Sequence, residues 1–383
     1  MEFQGVVTAL SEQGMGAVKG PDGRTYFVRG VWPHDEAVFR ALPDEGPSSD
    51  RYGLAEMVQL VTPSAERVTP LCPHLGLRDH DCAGCPWMIG AYEHQLKYKR
   101  HRIVHALNRV SLDSSVVQEI WPSPQVLGYR SRAQFKTDGI KLGYSGRYGK
   151  SVASIQNCLI LNQVMASHLK SLQGMLPKEE WQPSEGYPFV FIDIDDKTDL
   201  SGEVVINKRR PFSQTNAEQN QQMKSWMRER LGPLSGDSAV LELFGGSGNF
   251  TEVASSLGFQ DILSIDIQGS ALRILQERNL AGVRVLGLDL FSRAALPRLV
   301  KEASCSAPAV LIVNPPRSGL MQLSRLAAAL ESLSTILYVS CNPVSFAADA
   351  KKMVGFGFNL QEVQPVDMIP HTPHIEMLGL LTR

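Results

Sequence analysis

Apolar and polar positions alternate with a period of two through the first sixty residues. Gly5-Val6-Val7-Thr8-Ala9, Gly16-Ala17-Val18, Thr25-Tyr26-Phe27-Val28 and Ala37-Val38-Phe39 are short β-type runs, separated by turn signals such as Pro21-Asp22-Gly23. Many short strands with glycine-rich turns predict a small closed barrel over residues 1–62. The period then lengthens: Tyr92 to Arg109 reads as a helix with a basic face. Alternation returns at Arg132-Ala133-Gln134-Phe135-Lys136-Thr137, and residues 160–209 read as a helix followed by more strands. From residue 210 onward, short continuous apolar runs alternate with helical stretches. Residues 240–244, 262–266, 283–286, 309–313 and 337–340 are five such runs, the pattern of strands buried on both faces of a parallel sheet. The prediction is an α/β chain in three stretches: a barrel (1–62), a central α+β segment (63–209) and a doubly wound sheet (210–383).

In such a sheet, ligands gather at the carboxyl ends of the strands. The first run, Val240-Leu241-Glu242-Leu243-Phe244, leads into Gly245-Gly246-Ser247-Gly248-Asn249-Phe250, where glycines let a cofactor approach the backbone at a helix N-terminus. Asp266 ends the second run, an acid suited to ribose hydroxyls. Asp289 follows the third, and the fourth enters Asn314-Pro315-Pro316-Arg317. The fifth ends in Ser340-Cys341-Asn342-Pro343, delivering a thiol to the same edge, with a helix starting after Pro343. A lone cysteine is commonly just a small core residue; its position here points to a nucleophile. The glycine turn also occurs in nucleotide-binding dehydrogenases. The Pro-Pro-Arg and Ser-Cys-Asn-Pro loops favour S-adenosylmethionine over NAD, because a dehydrogenase has no use for that thiol.

Cys72-Pro73-His74 and Cys82-Ala83-Gly84-Cys85 form a second constellation. The two-residue gap lets Cys82 and Cys85 face one metal centre, with Cys72 as a third ligand and Cys158 as the candidate fourth. Spacing alone leaves zinc and an iron–sulfur cluster both open, and His74 and His80 keep a mixed site open too. The six cysteines make no disulfide framework, residues 1–4 open no signal peptide, and no run approaches a membrane span. A cytoplasmic chain without membrane contact is expected.

Composition adds one constraint. Among 383 residues, 43% are apolar and 20% charged, and the net charge is −1. No chain-wide field attracts a nucleic acid, so such a partner must be met by local patches. The basic helix and Arg130, Arg132, Lys136, Lys141, Arg147 and Lys150, interleaved with Tyr129, Phe135, Tyr144 and Tyr148, supply the mixture that phosphate contact and base stacking need.

Gly14-Met15-Gly16, Asp22-Gly23 and Phe27-Val28 resemble a TRAM domain, a small OB-like RNA-binding barrel. Nearly the whole chain resembles the RNA uracil-C5 methyltransferase family, including its bacterial 23S ribosomal RNA members. The resemblance rests on Cys72…Cys82-Ala83-Gly84-Cys85…Cys158, Phe212-Ser213-Gln214-Thr215-Asn216, the 244–250 turn, Asn314-Pro315-Pro316-Arg317, Ser340-Cys341-Asn342-Pro343, and Asp367-Met368-Ile369-Pro370-His371-Thr372 with His374-Ile375-Glu376. It implies a Rossmann-like class I methyltransferase sheet. It also implies Cys341 as nucleophile, Glu376 as general base, and S-adenosylmethionine bound by Gln214, Phe244, Asn249, Asp266, Asp289 and Asn314. Cys72, Cys82, Cys85 and Cys158 would hold a four-iron, four-sulfur cluster.

The implied reaction is methylation of C5 of one uridine through a covalent adduct between Cys341 and uracil C6, on a base flipped out of its stack. Ribosomal RNA is the expected partner, with transfer RNA second, and the chain is expected to be a monomer. Arg317 is read either as an enolate stabiliser or as a structural loop holder. His371 and His374 are read as structural hydrogen-bonding residues rather than proton shuttles. The sequence departs from the family in a longer gap between Cys72 and Cys82, in Asp266 for the usual Glu, in Gly245-Gly246 without an intervening cysteine, and in Asn314 for the usual Asp. Asn-Pro-Pro is also the start of the motif of amino-group methyltransferases acting on adenine or guanine, though Arg317 stands where they carry an aromatic residue. A non-catalytic RNA-binding homologue is the remaining alternative.

Overall fold

The computed structural model describes residues 1–43, 51–147, 149–236, 238–267, 269–292, 294–320 and 323–383; Tyr148 of the basic central stretch lies outside them. The chain divides into two compact units. One contains Met1–Lys99, Gln125–Arg210 and Ile369–Pro373; the other contains Arg100–Pro124, Pro211–Met368 and His374–Arg383. Among the described residues no helix is long and apolar enough to cross a membrane.

In the first unit, β1 (Glu2–Leu10), β2 (Gly16–Lys19), β3 (Thr25–Val28), β4 (Glu36–Ala41) and β5 (Tyr52–Thr62) close into a barrel in the order β1-β2-β3-β5-β4. The alternation works as expected: Phe3, Val7, Val18, Tyr26, Val28 and Phe39 fill the interior. β5 went unpredicted because its pairing with β4 shifts register twice, between Glu36 and Ala37 and between Val38 and Phe39. Such bulges break the period of two that identifies a strand.

The same unit holds an antiparallel sheet of β6 (Arg132–Thr137), β7 (Leu142–Ser145), β8 (Val152–Ser154) and β9 (Val190–Asp195), ordered β8-β7-β6-β9. Its inner face packs Phe135 and Ile192 into one core with Met165, Leu169 and Leu172 of α2 (Gln163–Gly174). Phe135 and Tyr129 are therefore core residues and cannot stack on bases.

The helix α1 (Tyr92–Arg109) forms as predicted, but its basic face is not simply solvated. Lys99 is buried, its Nζ donating to the Ile369 carbonyl at 3.0 Å. The Arg100 guanidinium donates to the carbonyls of Val117 and Gln118 at 2.8 and 3.0 Å.

The second unit is a seven-stranded sheet. Its strands are β10 (Val240–Leu243), β11 (Ile262–Asp266), β12 (Val283–Gly287), β13 (Val310–Val313), β14 (Thr335–Ser340), β15 (Asn359–Val366) and β16 (Glu376–Thr382). The order is β12-β11-β10-β13-β14-β16-β15, with β16 antiparallel to both neighbours. The helices of this unit are α3 (Ala217–Leu231), α4 (Thr251–Ser256), α5 (Ser270–Glu277), α6 (Ala295–Ser304), α7 (Leu323–Ala329) and α8 (Pro343–Val354). Every residue of β10, β13 and β14 is buried, which is why these strands read as mostly apolar runs, interrupted in β10 by the buried Glu242.

Candidate active site

Parallel pairing lines up the carboxyl ends of five strands. Leu243 pairs with Ile265 and Val313, Asp266 with Gly287, and Val313 with Tyr338. Phe244, Asp266, Asp289, Asn314 and Cys341 therefore emerge along one edge, as the sequence pattern required. The sixth group arrives from the opposite direction. Ser340 pairs with Met377 across the antiparallel β14–β16 ladder, so the first residue of β16, Glu376, lies opposite Cys341, the residue just past β14. A parallel strand would have carried Glu376 to the far edge.

Cys341 is half-buried. Burial pushes its thiol up to about 11; the Glu376 carboxyl adds to the rise and the Arg317 guanidinium opposes it. Burial likewise pushes the Glu376 carboxyl up to about 8. Arg317 makes no ion pair among the described residues, so it is not held as a structural salt bridge. Its carbonyl instead accepts the Asn342 side-chain amide at 2.8 Å, while the Asn342 Oδ1 caps α8 through the Val344 N–H at 3.1 Å. Asn342, the residue after Cys341, thus ties the Pro-Pro-Arg loop to the start of the helix. Asp349 of α8 adds a second tie: its Oδ2 accepts both the Tyr338 hydroxyl and the Leu320 N–H at 2.8 Å.

The glycine turn is held from below. Buried Glu242 accepts hydrogen bonds from the Thr251 and Ser264 hydroxyls, and burial raises its pKa. Gly246 has φ +57°, and an added Cβ would meet nothing nearer than Asp266 Oδ2 at 4.0 Å, so the turn opens onto free space. Asp266 uses Oδ2 to accept the Gly246 N–H at 2.7 Å and Oδ1 to accept the Ile267 N–H at 2.6 Å. This shorter acid thus fixes the turn while standing at the strand end.

Asn249 is engaged too. It forms a reciprocal amide pair with Asn220 of α3, at 2.9 and 3.0 Å. Phe244, at φ +60°, sets its ring against Phe291, centroids 5.8 Å apart. Asp289 is exposed and accepts the Phe291 N–H at 3.0 Å. Gln214 is half-buried two residues before Asn216, which caps α3. Sequence reading missed Glu242, Asn220 and Asp349, because the contacts that define their roles join residues far apart in the chain. Only the Asn-Pro step at 342–343 carried a local signal, that of a helix cap.

In the other unit, Cys72, Cys82, Cys85 and Cys158 line one cavity of about 310 Å³, with His74, Arg130 and Tyr144. Burial pushes the Cys82 thiol up to about 11 and raises Cys85 and Cys158 as well. His74 Nε2 faces the Gln156 N–H at 3.3 Å and Asn157 Oδ1 at 3.2 Å. Arg130 donates to the Arg132 carbonyl at 2.8 Å and has no carboxylate partner among the described residues. Among those residues no group of three or more His, Cys, Asp or Glu is arranged to hold a metal ion. His371 lies in this unit, buried at φ +66°, with Nδ1 3.3 Å from Gln95 Nε2 and its N–H donating to Gln95 Oε1 at 3.0 Å. These bonds fit the structural role expected of it.

A seven-stranded sheet with one antiparallel strand beside its fifth parallel strand, and a glycine turn after the first, defines a methyltransferase sheet. A family model described as tRNA (Uracil-5-)-methyltransferase matches residues 194–383. An uncharacterised RNA methyltransferase of Nitrosomonas europaea is 40% identical over 380 residues, covering 98% of this chain and 96% of that one. The chain belongs to the RNA (uracil-5-)-methyltransferase family. The 23S rRNA (uracil(1939)-C(5))-methyltransferase RlmD of Aliivibrio fischeri is 24% identical, covering 98% of this chain and 95% of its own. In fold, the chain is similar to the Pyrococcus abyssi tRNA (uracil-54, C5)-methyltransferase solved with S-adenosyl-L-homocysteine. The TM-score is 0.68 at 20% identity, covering 99% of this chain and 100% of that one. The family separates the chain from amino-group methyltransferases, despite Asn314-Pro315-Pro316.

Proposed function

We propose that this chain methylates C5 of one uridine in RNA through a covalent adduct with Cys341, with 23S ribosomal RNA as the first candidate and transfer RNA as the second. The observation that carries the reading is the antiparallel pairing of Ser340 with Met377, which brings Cys341 opposite Glu376, close enough for the carboxyl to act on the thiol's charge. C5 of uracil is a poor nucleophile. Addition of the Cys341 thiolate to C6 forms the Sγ–C6 bond and moves the ring electrons toward C5 and the O4 enolate. Arg317, the cation nearest the thiol in electrostatic effect, would face the developing negative charge. S-adenosylmethionine, when bound, supplies the electrophilic methyl group that C5 takes up. The Glu376 carboxylate then removes the C5 proton, the Sγ–C6 bond breaks, and the thiolate is restored.

The open space over Gly246 suits the cofactor. Gln214, Phe244, Asn249, Asp266, Asp289 and Asn314 would surround it. The test of the whole reading is a map of 5-methyluridine in total RNA from cells with and without the gene. Loss of one site in 23S ribosomal RNA or in transfer RNA supports it and names the substrate; unchanged 5-methyluridine counts against it.

Asn314 departs from the expected acid, and its amide offers no charge to the methionine ammonium. Asn314→Asp is expected to tighten S-adenosylmethionine binding roughly threefold to tenfold, the margin between a neutral and a charge-assisted hydrogen bond. Calorimetry would read it, and equal dissociation constants would remove the idea.

We also propose that the four-cysteine cavity holds a four-iron, four-sulfur cluster. Three features support this: four thiols around a space larger than one ion needs, Arg130 without a carboxylate to face, and His74 Nε2 already within reach of Gln156 and Asn157. A cluster on four thiolates carries net negative charge, which Arg130 would neutralise. Its role is taken as structural, joining the Cys72 loop to the Cys158 segment, beside a barrel of the TRAM type that grips RNA. Protein purified without oxygen should contain about four iron and four sulfide per chain, and Cys85→Ser should lose the visible absorption. A colourless protein with one equivalent of zinc would set the cluster aside.

A further inference from the structure

The outward face of the β6–β9 pair carries a row of cations that are not treated alike. Arg132 is matched by Asp193 at 2.8 Å, and Arg210 by Asp195 at 3.2 Å. Lys136 and Arg209 have no ion pair among the described residues. Lys136 Nζ donates to the Gln134 Oε1 at 2.9 Å, and both cations sit over aromatic rings. Lys136 Nζ stands 5.1 Å from the Phe189 ring centre and 5.0 Å from that of Phe191, while the Arg209 guanidinium carbon is 5.9 Å from the Phe191 ring centre. Register places Lys136 directly opposite Phe191.

The segment carrying Arg209 is fixed rather than draped. Asn207 takes φ +56°, a left-handed conformation uncommon for a residue other than glycine. Its N–H donates to the Phe191 carbonyl at 2.8 Å, and its Oδ1 accepts the Phe191 N–H at 3.1 Å. Arg210 N–H adds a bond to Asp193 Oδ2 at 3.1 Å. These anchors hold Arg209 beside Lys136 although the two cations repel. Desolvation and the nearby Arg209 lower the Lys136 pKa, and Asp193 offsets only part of that.

We propose that Lys136 and Arg209, on their floor of Phe189 and Phe191, form a binding site for one backbone phosphate of single-stranded RNA. The inference rests on the RNA substrate proposed above. A phosphodiester supplies the negative charge that relieves the repulsion, with oxygens for both the ammonium and the guanidinium. The half-buried rings leave apolar surface for the adjoining ribose or base. Such a contact holds the strand in register and carries no sequence information.

The test is fluorescence anisotropy of a labelled single-stranded RNA with the full chain over a range of salt concentrations. Arg209→Gln, at an exposed position, and Lys136→Met, which keeps the aliphatic stem on the rings, are compared with Lys170→Gln, an exposed lysine of α2. Each of the first two should weaken binding on the order of tenfold at about 50 mM salt and flatten the slope of log affinity against log salt by up to about 0.7, the share of one phosphate on a single strand. Lys170→Gln should leave the slope unchanged. Wild-type slopes in both site variants, equal losses in all three variants, or equally tight binding of polyglutamate would each overturn the site. If the protein still methylates uridine in those cases, the proposed function stands without it. A wild-type chain that neither binds nor methylates RNA overturns both.

Discussion

Cys341→Ala should lower uridine methylation by on the order of 10⁴-fold or more, because without the thiol nothing loads electron density onto C5. Cofactor binding should survive, since the groups proposed for it stand at other strand ends. The same variant should give no covalent product with RNA containing 5-fluorouridine. Wild type should trap that RNA, because fluorine at C5 cannot be removed as a proton and the Sγ–C6 bond then persists. A denaturing gel reads the result. Substantial turnover by the alanine variant would sink the covalent route. The raised thiol pKa adds a sign: at neutral pH the free enzyme holds little thiolate, so adduct formation should speed up as pH rises toward about 11.

Glu376→Gln should act at the opposite end of the cycle. The amide cannot accept the C5 proton, so the thiol still adds, the methyl group still arrives, and release slows by roughly 10²–10⁴-fold. The expected signature is a methylated RNA–protein adduct on natural uridine, which wild type does not accumulate. For wild type the direction with pH follows from a carboxyl pushed up to about 8 by burial. Below that value the group is mostly protonated and cannot act as a base. Release should therefore quicken as pH rises through about 8 and then level off, and the glutamine variant should lose this dependence. Single-turnover kinetics across the range would show it; a flat profile in wild type would assign the base elsewhere.

Much of this site was legible because parallel strands buried on both faces are continuous apolar runs, and the polar residue ending each run marks the ligand edge. Cys341, Asp266 and Asn314 followed from that rule. Glu376 did not, since nothing local announces that Glu376–Thr382 returns antiparallel beside β14; only resemblance to a family marked it. Aromatic and basic residues of the central segment were harder still. Phe135 and Lys136 are neighbours in sequence and point to opposite faces, one into the core and one outward. The rings that receive Lys136 come from the start of β9 and the residue before it, some fifty positions on, with Lys136 opposite Phe191 in the register. The basic face of α1, read from the sequence as a phosphate track, likewise turned out to bury Lys99.

Asp349 touches neither the Cys341 thiol nor the glycine turn, yet one of its oxygens accepts from both Tyr338, three residues before Cys341, and Leu320, three residues after Arg317. Two motifs separated in the chain are thereby joined at a third place. Substitutions in α8, in the Pro-Pro-Arg loop and at the end of β14 should then not combine as independent changes. Over evolutionary time these three segments would be expected to drift together, so that a loop transplanted from a relative works only when its helix travels with it.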